Sequence, residues 1–415
     1  MSDFTFPTEF KINTIELNGE SVLGLFVSVE IYESIYLGGV TGSITIFDTD
    51  AVKFIEKNEI EFVEEISLAF TNASGEEIEF EGFMNGLRDE TIKEQKKMYT
   101  IDFSSKAVRK NEMEFVTKPY KNEKPESIAD EISELLETEV DSKGSGEGMT
   151  FLGSRKKPLD IMRYVMSHGV TTNSSVTNSE EVEQESKGTS GFMFWETLDG
   201  YRFCSSEDLL KGSYETWSDY KVQLSKRSLS MDESMKGIID YEFPQIGNFQ
   251  SKLRSGAYRS TYIVFDLDKG EYKEIEYEAD DDSVTEKQKS EVTKPTRIFC
   301  GTFQNEKFSP ECSKTSDDQD DQSKKYLQQN ASRQNTLSDQ HGRFVLPPSY
   351  KMRAGDIIDV KIPRVSSDDG PSQPDNKHSG KYLIKQVAHF MFADLKSYTK
   401  ISTIRSTTQQ QDQDT

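Results

Sequence analysis

Four histidines, three cysteines and 73 acidic residues are the side chains with which this sequence could do chemistry. The histidines are His168, His341, His378 and His389, and none lies in a His-Glu-x-x-His array. No Cys-x-x-Cys occurs either, so the ligand spacing of a zinc site is missing. His389 falls in the apolar run Val387 to Phe392 and reads as a core histidine with its hydrogen bonds satisfied. Asp266-Leu267-Asp268-Lys269-Gly270 opens like a calcium loop, but Gly270 and Tyr277 stand where oxygen ligands belong. The run Asp317 to Asp321 lacks the central glycine of such a loop. No Gly-x-Ser-x-Gly elbow is present, and the glycines at 144, 146 and 148 lack a following Gly-Lys-Ser/Thr. So many carboxylates always offer pairs for glycoside cleavage, yet no pair is set apart by its surroundings. The residue types thus point to no catalytic, cofactor or metal site.

The elements that would position such groups are mostly strands. Period-two alternation runs through Ile12–Leu17, Leu25–Ile31, Gly42–Asp48, Glu59–Phe70, Ile78–Leu87 and Tyr99–Phe103. From residue 118 the pattern changes. Pro125 opens a helix with Ile128, Ile132, Leu135 and Leu136 on one stripe, and Pro158 opens a second that ends near Gly169. Thr171 to Ser190 is polar and reads as an exposed loop. Phe192–Thr197 and Tyr201–Phe203 form a hairpin across Asp199-Gly200, and Tyr262–Phe265 returns as Tyr272–Tyr277. Ser323 to Thr336 is a polar helix expected on the surface. Strands resume over 341–405, and the tail 406–415 reads as disordered.

Length and charge bound the class. A chain of 415 residues holds several domains, and 25 Phe with 17 Tyr give it core anchors that disordered chains lack. A formal charge of -23 argues against bulk binding to nucleic acid or to anionic membranes. No apolar run reaches the ~18 residues of a membrane span, and the N-terminus carries no secretory pattern. Cys204, Cys300 and Cys312 are odd in number and widely spaced, which favours a reducing compartment and buried free thiols.

The first and last strand blocks share a layout. Asn58-Glu59-Ile60 has a counterpart in Gly355-Asp356-Ile357, Gly82 in Gly380, and Lys97-Met98-Tyr99-Thr100 in Lys396-Ser397-Tyr398-Thr399. Common order and spacing make a duplicated β-domain the natural reading.

On these residues the chain resembles the baseplate central hub protein of contractile-tailed, T-even-like bacteriophages. The likeness is carried by Val40-Thr41-Gly42-Ser43-Ile44-Thr45-Ile46-Phe47-Asp48, Asn58-Glu59-Ile60, Tyr241-Glu242-Phe243-Pro244, and Arg343-Phe344 to Pro348. It continues through Arg353-Ala354-Gly355-Asp356-Ile357-Ile358-Asp359-Val360 into Tyr382-Leu383-Ile384. Spike proteins of contractile secretion systems share the tube-domain plan. The resemblance implies an α+β, mainly β fold: two similar tube-type antiparallel β-barrel domains, a helical middle domain and a hairpin-containing insertion. The expected divisions are 8–117 for the first tube-type domain, 118–210 for the middle domain, 211–260 with 341–405 for the second tube-type domain, and 261–340 for the insertion. It also implies a homotrimer that joins a trimeric tail spike to the hexameric tail tube, with surrounding wedge proteins and a tape-measure protein as further partners. Such a protein is not an enzyme, needs no cofactor, binds no membrane itself and meets DNA only in passage. It is assembled in the bacterial cytoplasm and ends in the virion tail.

Strand edges are ready templates for a neighbour, so segments 25–48, 82–103 and 380–404 are expected in the ring, with helices 48–56 and 323–336 on its rim. The interface candidates are Ile44, Ile46, Phe83, Tyr99, Ile357, Tyr382 and Tyr398. Three copies would surround the DNA path with acidic walls that repel phosphate. The competing readings are a cell-wall hydrolase of the tail and an acidic glycan-binding adhesion module.

Overall fold

The computed structural model describes residues 4–49, 53–93, 96–171, 191–222, 230–266, 270–279, 286–302, 328–332, 334–335, 339–364 and 374–405. The first block holds β1 (Phe10–Leu17), β2 (Glu20–Ser21), β3 (Phe26–Ser34), β4 (Thr41–Thr49), the one-turn helix α1 (Phe54–Lys57), β5 (Glu65–Asn72), β6 (Glu77–Lys93) and β7 (Lys96–Ser105). The middle region holds α2 (Lys106–Met113), β8 (Val116–Glu123), α3 (Pro125–Leu135), β9 (Val140–Lys143), β10 (Met149–Lys156), α4 (Pro158–His168), β11 (Phe192–Thr197), β12 (Gly200–Ser205) and α5 (Ser206–Lys211). Then come β13 (Thr216–Val222), α6 (Met231–Met235), β14 (Gly237–Ile238), β15 (Asp240–Ile246), α7 (Phe249–Ser255), β16 (Arg259–Asp266), β17 (Glu271–Glu278), α8 (Glu286–Glu291) and β18 (Arg297–Thr302). The last strands are β19 (Gln340–Leu346), β20 (Ile357–Lys361), β21 (Gly380–Phe392) and β22 (Ser397–Arg405).

Alternation drives the main sheet. Along β5, Ile66, Leu68 and Phe70 turn inward between more exposed neighbours, and each such side chain withdrawn from water contributes roughly 1.5–3 kcal/mol. Fourteen strands form one sheet. Its spine is the eight-stranded ribbon β15-β19-β22-β21-β3-β4-β7-β6; β20, β13 and β14 branch from one half of β21, and β5, β1 and β2 continue from one half of β6. The fold is therefore mainly β. Within one chain the two strand blocks are fused rather than separately closed, because the edge of the first, β3, pairs with β21 of the second.

Each block has its own core. Ile44, Ile46, Phe70, Tyr99 and Ile101 belong to the first, and Phe344, Ile358, Tyr382, Val387 and Ile401 to the second. The middle region packs α3 and α4 on Phe192, Phe194, Tyr201 and Phe203 of the β11–β12 hairpin. Both helices begin with proline in the first turn, where its missing N–H is harmless.

Several expectations change here. Residues 328–332 are helical but not on the surface: Gln328 and Ser332 are fully buried. Gln328 donates to Ser260 Oγ at 3.0 Å and Ser332 donates to the Ala257 carbonyl at 2.5 Å. Polarity implied exposure, whereas internal hydrogen bonds allow burial. Cys204 is buried, but Cys300 is exposed on β18. His389 is buried with Nδ1 3.1 Å from Thr399 Oγ1, while Nε2 has no partner, so it is only half satisfied. Burial holds it far below the usual imidazole range, at about 3, and therefore neutral. The loop 172–190, the acidic runs Asp280–Asp282 and Asp317–Asp321, Cys312 and the tail 406–415 lie outside the described residues.

Candidate assembly interface

Pairing registers make the repeat explicit. Met84 faces Phe103, Gly86 faces Asp102 and Leu87 faces Ile101; Ile384 faces Thr403, Gln386 faces Ser402 and Val387 faces Ile401. Each of these residues maps onto the one 300 positions later, and the irregularity between Met84 and Gly86 recurs between Ile384 and Gln386; a second irregularity, between Arg88 and Thr91 on β6, has no counterpart on β21. The same offset relates β4 to β19, since Gly42 faces Phe103 and Gly342 faces Thr403. The order β3-β4-β7-β6-β5-β1 is matched by β15-β19-β22-β21-β20-β13. One difference is that β1 runs antiparallel to β5 whereas β13 runs parallel to β20.

Two equivalent edges meet different fates. The far half of β21, from Gln386 to Phe392, is paired by β3. The equivalent half of β6, residues 85–93, pairs only with β7 among the described residues. The equivalent of β3 is β15, which pairs only with β19 among the described residues. Pro244 within β15 marks an edge strand, because proline lacks the donor a central strand needs.

The interface candidates divide by face. Ile44, Ile46, Tyr99, Ile357 and Tyr382 are buried in the chain's own cores. Alternation points them inward, so they stiffen strands rather than present side chains to another molecule. Phe83 and Tyr398 are half-buried on the opposite face of the ribbon. Cross-strand rows define that face. One runs Tyr398, Phe390, Glu30, Ser43, Asp102 and Gly86. Another runs Glu242, Arg343, Ser402, Gln386 and Ser34.

Charges on this face are matched. Arg88 bonds Asp102 at 2.9 Å, Arg343 bonds Glu242 at 2.6 Å, and Lys400 stands 4.4 Å above the Phe390 ring. Tyr32 donates to Glu30. Acidic stripes lie instead on the branches: Glu77, Glu79 and Glu81 on β6, and Glu274, Glu276 and Glu278 on β17, are exposed.

A buried charge network locks the β11–β12 hairpin between the blocks. Glu33 on β3 accepts from the Leu198 and Ala354 N–H groups, both at 3.0 Å, and lies 3.7 Å from Arg353. Arg353 forks onto Asp199 at 2.7 and 2.9 Å. Asp356 accepts from Arg202 at 2.8 Å and from the Trp217 indole at 2.9 Å. Gly355 has φ +93°, and a Cβ there would come within 2.4 Å of Trp195. On the other side, Glu196 accepts from the Val40 N–H at 2.8 Å and from the Ser105 hydroxyl. Burial pushes Glu196 up to about 7, against the pull of those two donors and helped by the charge of Glu33. Sequence reasoning missed this network, although a lone glutamate inside Phe-Met-Phe-Trp-Glu was a usable sign. Among the described residues no cluster of His, Cys, Asp or Glu is arranged to hold a metal ion, and no helix is long and apolar enough to cross a membrane.

No family model matches the chain, and no curated protein matches it. Solved structures do. The 43 kDa tail protein of prophage MuSo2 from Shewanella oneidensis is similar with a TM-score of 0.53 at 12% identity, over 95% of this chain and 98% of that one. The tail protein from Neisseria meningitidis MC58 is similar with a TM-score of 0.54 at 8% identity, over 96% and 97%. The chain therefore has, along nearly its whole length, the fold of tail proteins of known structure.

Proposed function

We propose that this chain is the central hub of a contractile-tail baseplate, a non-enzymatic virion protein that closes as a ring of three. The observation that carries the reading is the pair of equivalent edges, one filled and one open. Inside the chain, β3 fills the far half of β21. The same joint, repeated between molecules, puts β15 of one copy against residues 85–93 of β6 in the next. That contact is heterologous, and heterologous contacts close into rings when the rotation permits. The resemblance to the tail hub gives the number three. Three chains then carry six quasi-equivalent blocks, and the eight-stranded ribbons join as a twenty-four-stranded wall.

This arrangement is what an adaptor between a trimeric spike and a hexameric tube requires, since two similar blocks per subunit let a three-fold object meet a six-fold one. The face with matched charges lines the channel through which DNA passes. The acidic lining expected from composition is thus replaced by a near-balanced one, because directly opposed like charges in a sheet repel. The surplus acid belongs to the outer branches, where it favours solubility. Wedge proteins and a tape-measure protein remain partners of this reading.

The test is the mass of the purified full chain. A species of three times 47.3 kDa is expected, alone or with the spike. Lysines placed in the open edge, Asn85→Lys with Thr91→Lys, should return it to monomers with an unchanged melting temperature, because edge lysines block strand addition. A wild-type chain that stays monomeric in both conditions overturns the proposal.

A further inference from the structure

The insertion between β15 and β19 has no counterpart in the first block, where residues 35–40 alone join β3 to β4. It carries its own three-stranded sheet, in the order β17-β16-β18. Alternation sorts the side chains of that sheet onto two faces. One face packs within the chain. Ile275 is buried there, Tyr277 packs on the small core of Tyr258, Ala279 and Val292, and Ser260 accepts from buried Gln328. The other face points outward. Its cross-strand rows are Tyr272 with Phe265, Glu274 with Ile263 and Cys300, and Glu276 with Thr261 and Ile298. Tyr272 is 65% exposed, Ile298 63% and Phe265 43%, and Cys300 is exposed as well. The columns of this face differ in kind. β17 sets Glu274, Glu276 and Glu278 along one border, while β16 and β18 bring apolar groups beside them. Glu278 is held by Arg259 at 2.8 Å, whereas Glu274 and Glu276 have no ion-pair partner among the described residues.

We propose that this outward face docks a basic amphipathic helix of another protein, one per chain, with its apolar stripe on Ile263, Phe265 and Ile298 and a row of Lys or Arg on Glu274 and Glu276. This docking requires the insertion alone and not the ring of three. A sheet face that carries apolar groups is completed by a second layer, and contiguous exposed apolar groups mark an interaction site. A helix roughly 10 Å across covers three strands spaced about 4.8 Å apart. The charges match in spacing as well as sign. Glu274 and Glu276 lie two residues apart on a strand, roughly 6.7 Å, and basic residues at i and i+4 of a helix rise roughly 6 Å. Two carboxylates without cations beside the apolar stripe select what covers it, because opposite charges steer encounter and like charges repel. Neither the segment that follows β18, with its acidic run Asp317 to Asp321, nor a second copy, at a formal charge of -23, is complementary in sign. The occupant is therefore a different, basic polypeptide.

The probe is a synthetic helical peptide of leucine and lysine, with lysines at i and i+4 along one border of the leucine stripe, and a twin with glutamate in place of lysine. Both are titrated against the purified full chain by fluorescence anisotropy. The lysine peptide is expected to bind, and the glutamate twin to bind about tenfold more weakly or worse. Peptide-resolved alkylation locates the contact: bound lysine peptide should slow the labelling of Cys300, while Cys204 is buried in either state. The double variant Glu274→Lys with Glu276→Lys should reverse the preference between the two peptides. Ile298→Asp should weaken both, since it buries an unpaired charge under the leucine stripe. All three positions are exposed, so the melting temperature should stay unchanged. A wild-type chain that binds neither peptide, a preference that does not reverse, or Cys300 labelling unchanged by bound peptide overturns the proposal. So does Cys300 already protected in the dilute free chain, which makes the occupant the chain itself, or protection that grows with chain concentration alone, which makes it a second copy.

Discussion

The two strand blocks use one ladder for two different jobs. In the first, the inward positions are aromatic: Tyr99 and Phe103 lie beneath Ile46 and Gly42, and Tyr99 donates to the buried Asp48 carboxylate at 3.4 Å. In the second, the same positions are Thr399 and Thr403, and Thr399 donates to or accepts from buried His389 and accepts from the Ser349 N–H. The first block is a largely aromatic and aliphatic core, with Asp48 as a buried acceptor, and has an open edge. The second is a hydrogen-bonded core whose edge is already filled and whose approach loop, through Arg353 and Asp356, holds the middle region. The two blocks thus share one frame, and the second uses it as the joint that keeps the parts together.

The strongest way to break this contrast is to remove the anchor peculiar to the second block. Arg353→Met strands the buried Glu33 carboxylate and should cost about 3–5 kcal/mol, the range for halving a buried ion pair; thermal unfolding measures it, and a change below about 1 kcal/mol would mean that Arg353 anchors nothing.

Next come the equivalent core positions Ile101 and Ile401, each almost fully buried. Replacing either by alanine should cost about 2–5 kcal/mol. Denaturant midpoints for the two should agree closely if the frames are equivalent; a large gap would show that one core relaxes and the other does not.

Glu196 is the third. Its folded pKa near 7 lies above the ordinary carboxylate value of 4.5. The folded chain therefore holds the proton more tightly, and the stability this confers is present at low pH and is lost as pH rises from about 4.5 through 7. Glu196→Gln should flatten that loss and raise stability at pH 8 by up to about 3 kcal/mol. Melting curves at pH 5 and pH 8 check it, with an unaltered slope counting against the assignment.

The smallest effect separates two glycines. A Cβ on Gly42 would meet the Glu30 carbonyl oxygen at 2.3 Å, whereas one on Gly342 meets only side-chain atoms, the nearest at 2.8 Å. Gly42→Ala should cost about 1–3 kcal/mol and Gly342→Ala less, because side chains yield more easily than backbone. Equal melting shifts would remove this distinction between the blocks.

Much of the local structure was legible. Alternation located the strands, prolines located α3 and α4, and Asp199-Gly200 located the hairpin. The existence of a repeat was legible too, but its register was not. The Lys-x-Tyr-Thr similarity aligns Tyr99 with Tyr398, while the ladders align Tyr99 with Thr399. A slip of one residue exchanges the two faces of a strand, and so Tyr99 is buried while Tyr398 is on the other face. Likewise Gly82 is equivalent to Tyr382 rather than to Gly380, and Ile357 to Glu65 rather than to Ile60.

The sequence by itself determined that the chain is mainly strand, that its ends share a plan, and that its histidines and cysteines lack metal-site spacing, because periodicity and spacing are local properties. Only the tertiary structure decided which edge is filled and which is open, and which face carries balanced charge. Those are outcomes of pairing between residues hundreds of positions apart, such as Ala388 with Tyr32, and no local pattern encodes which distant strand completes a ladder.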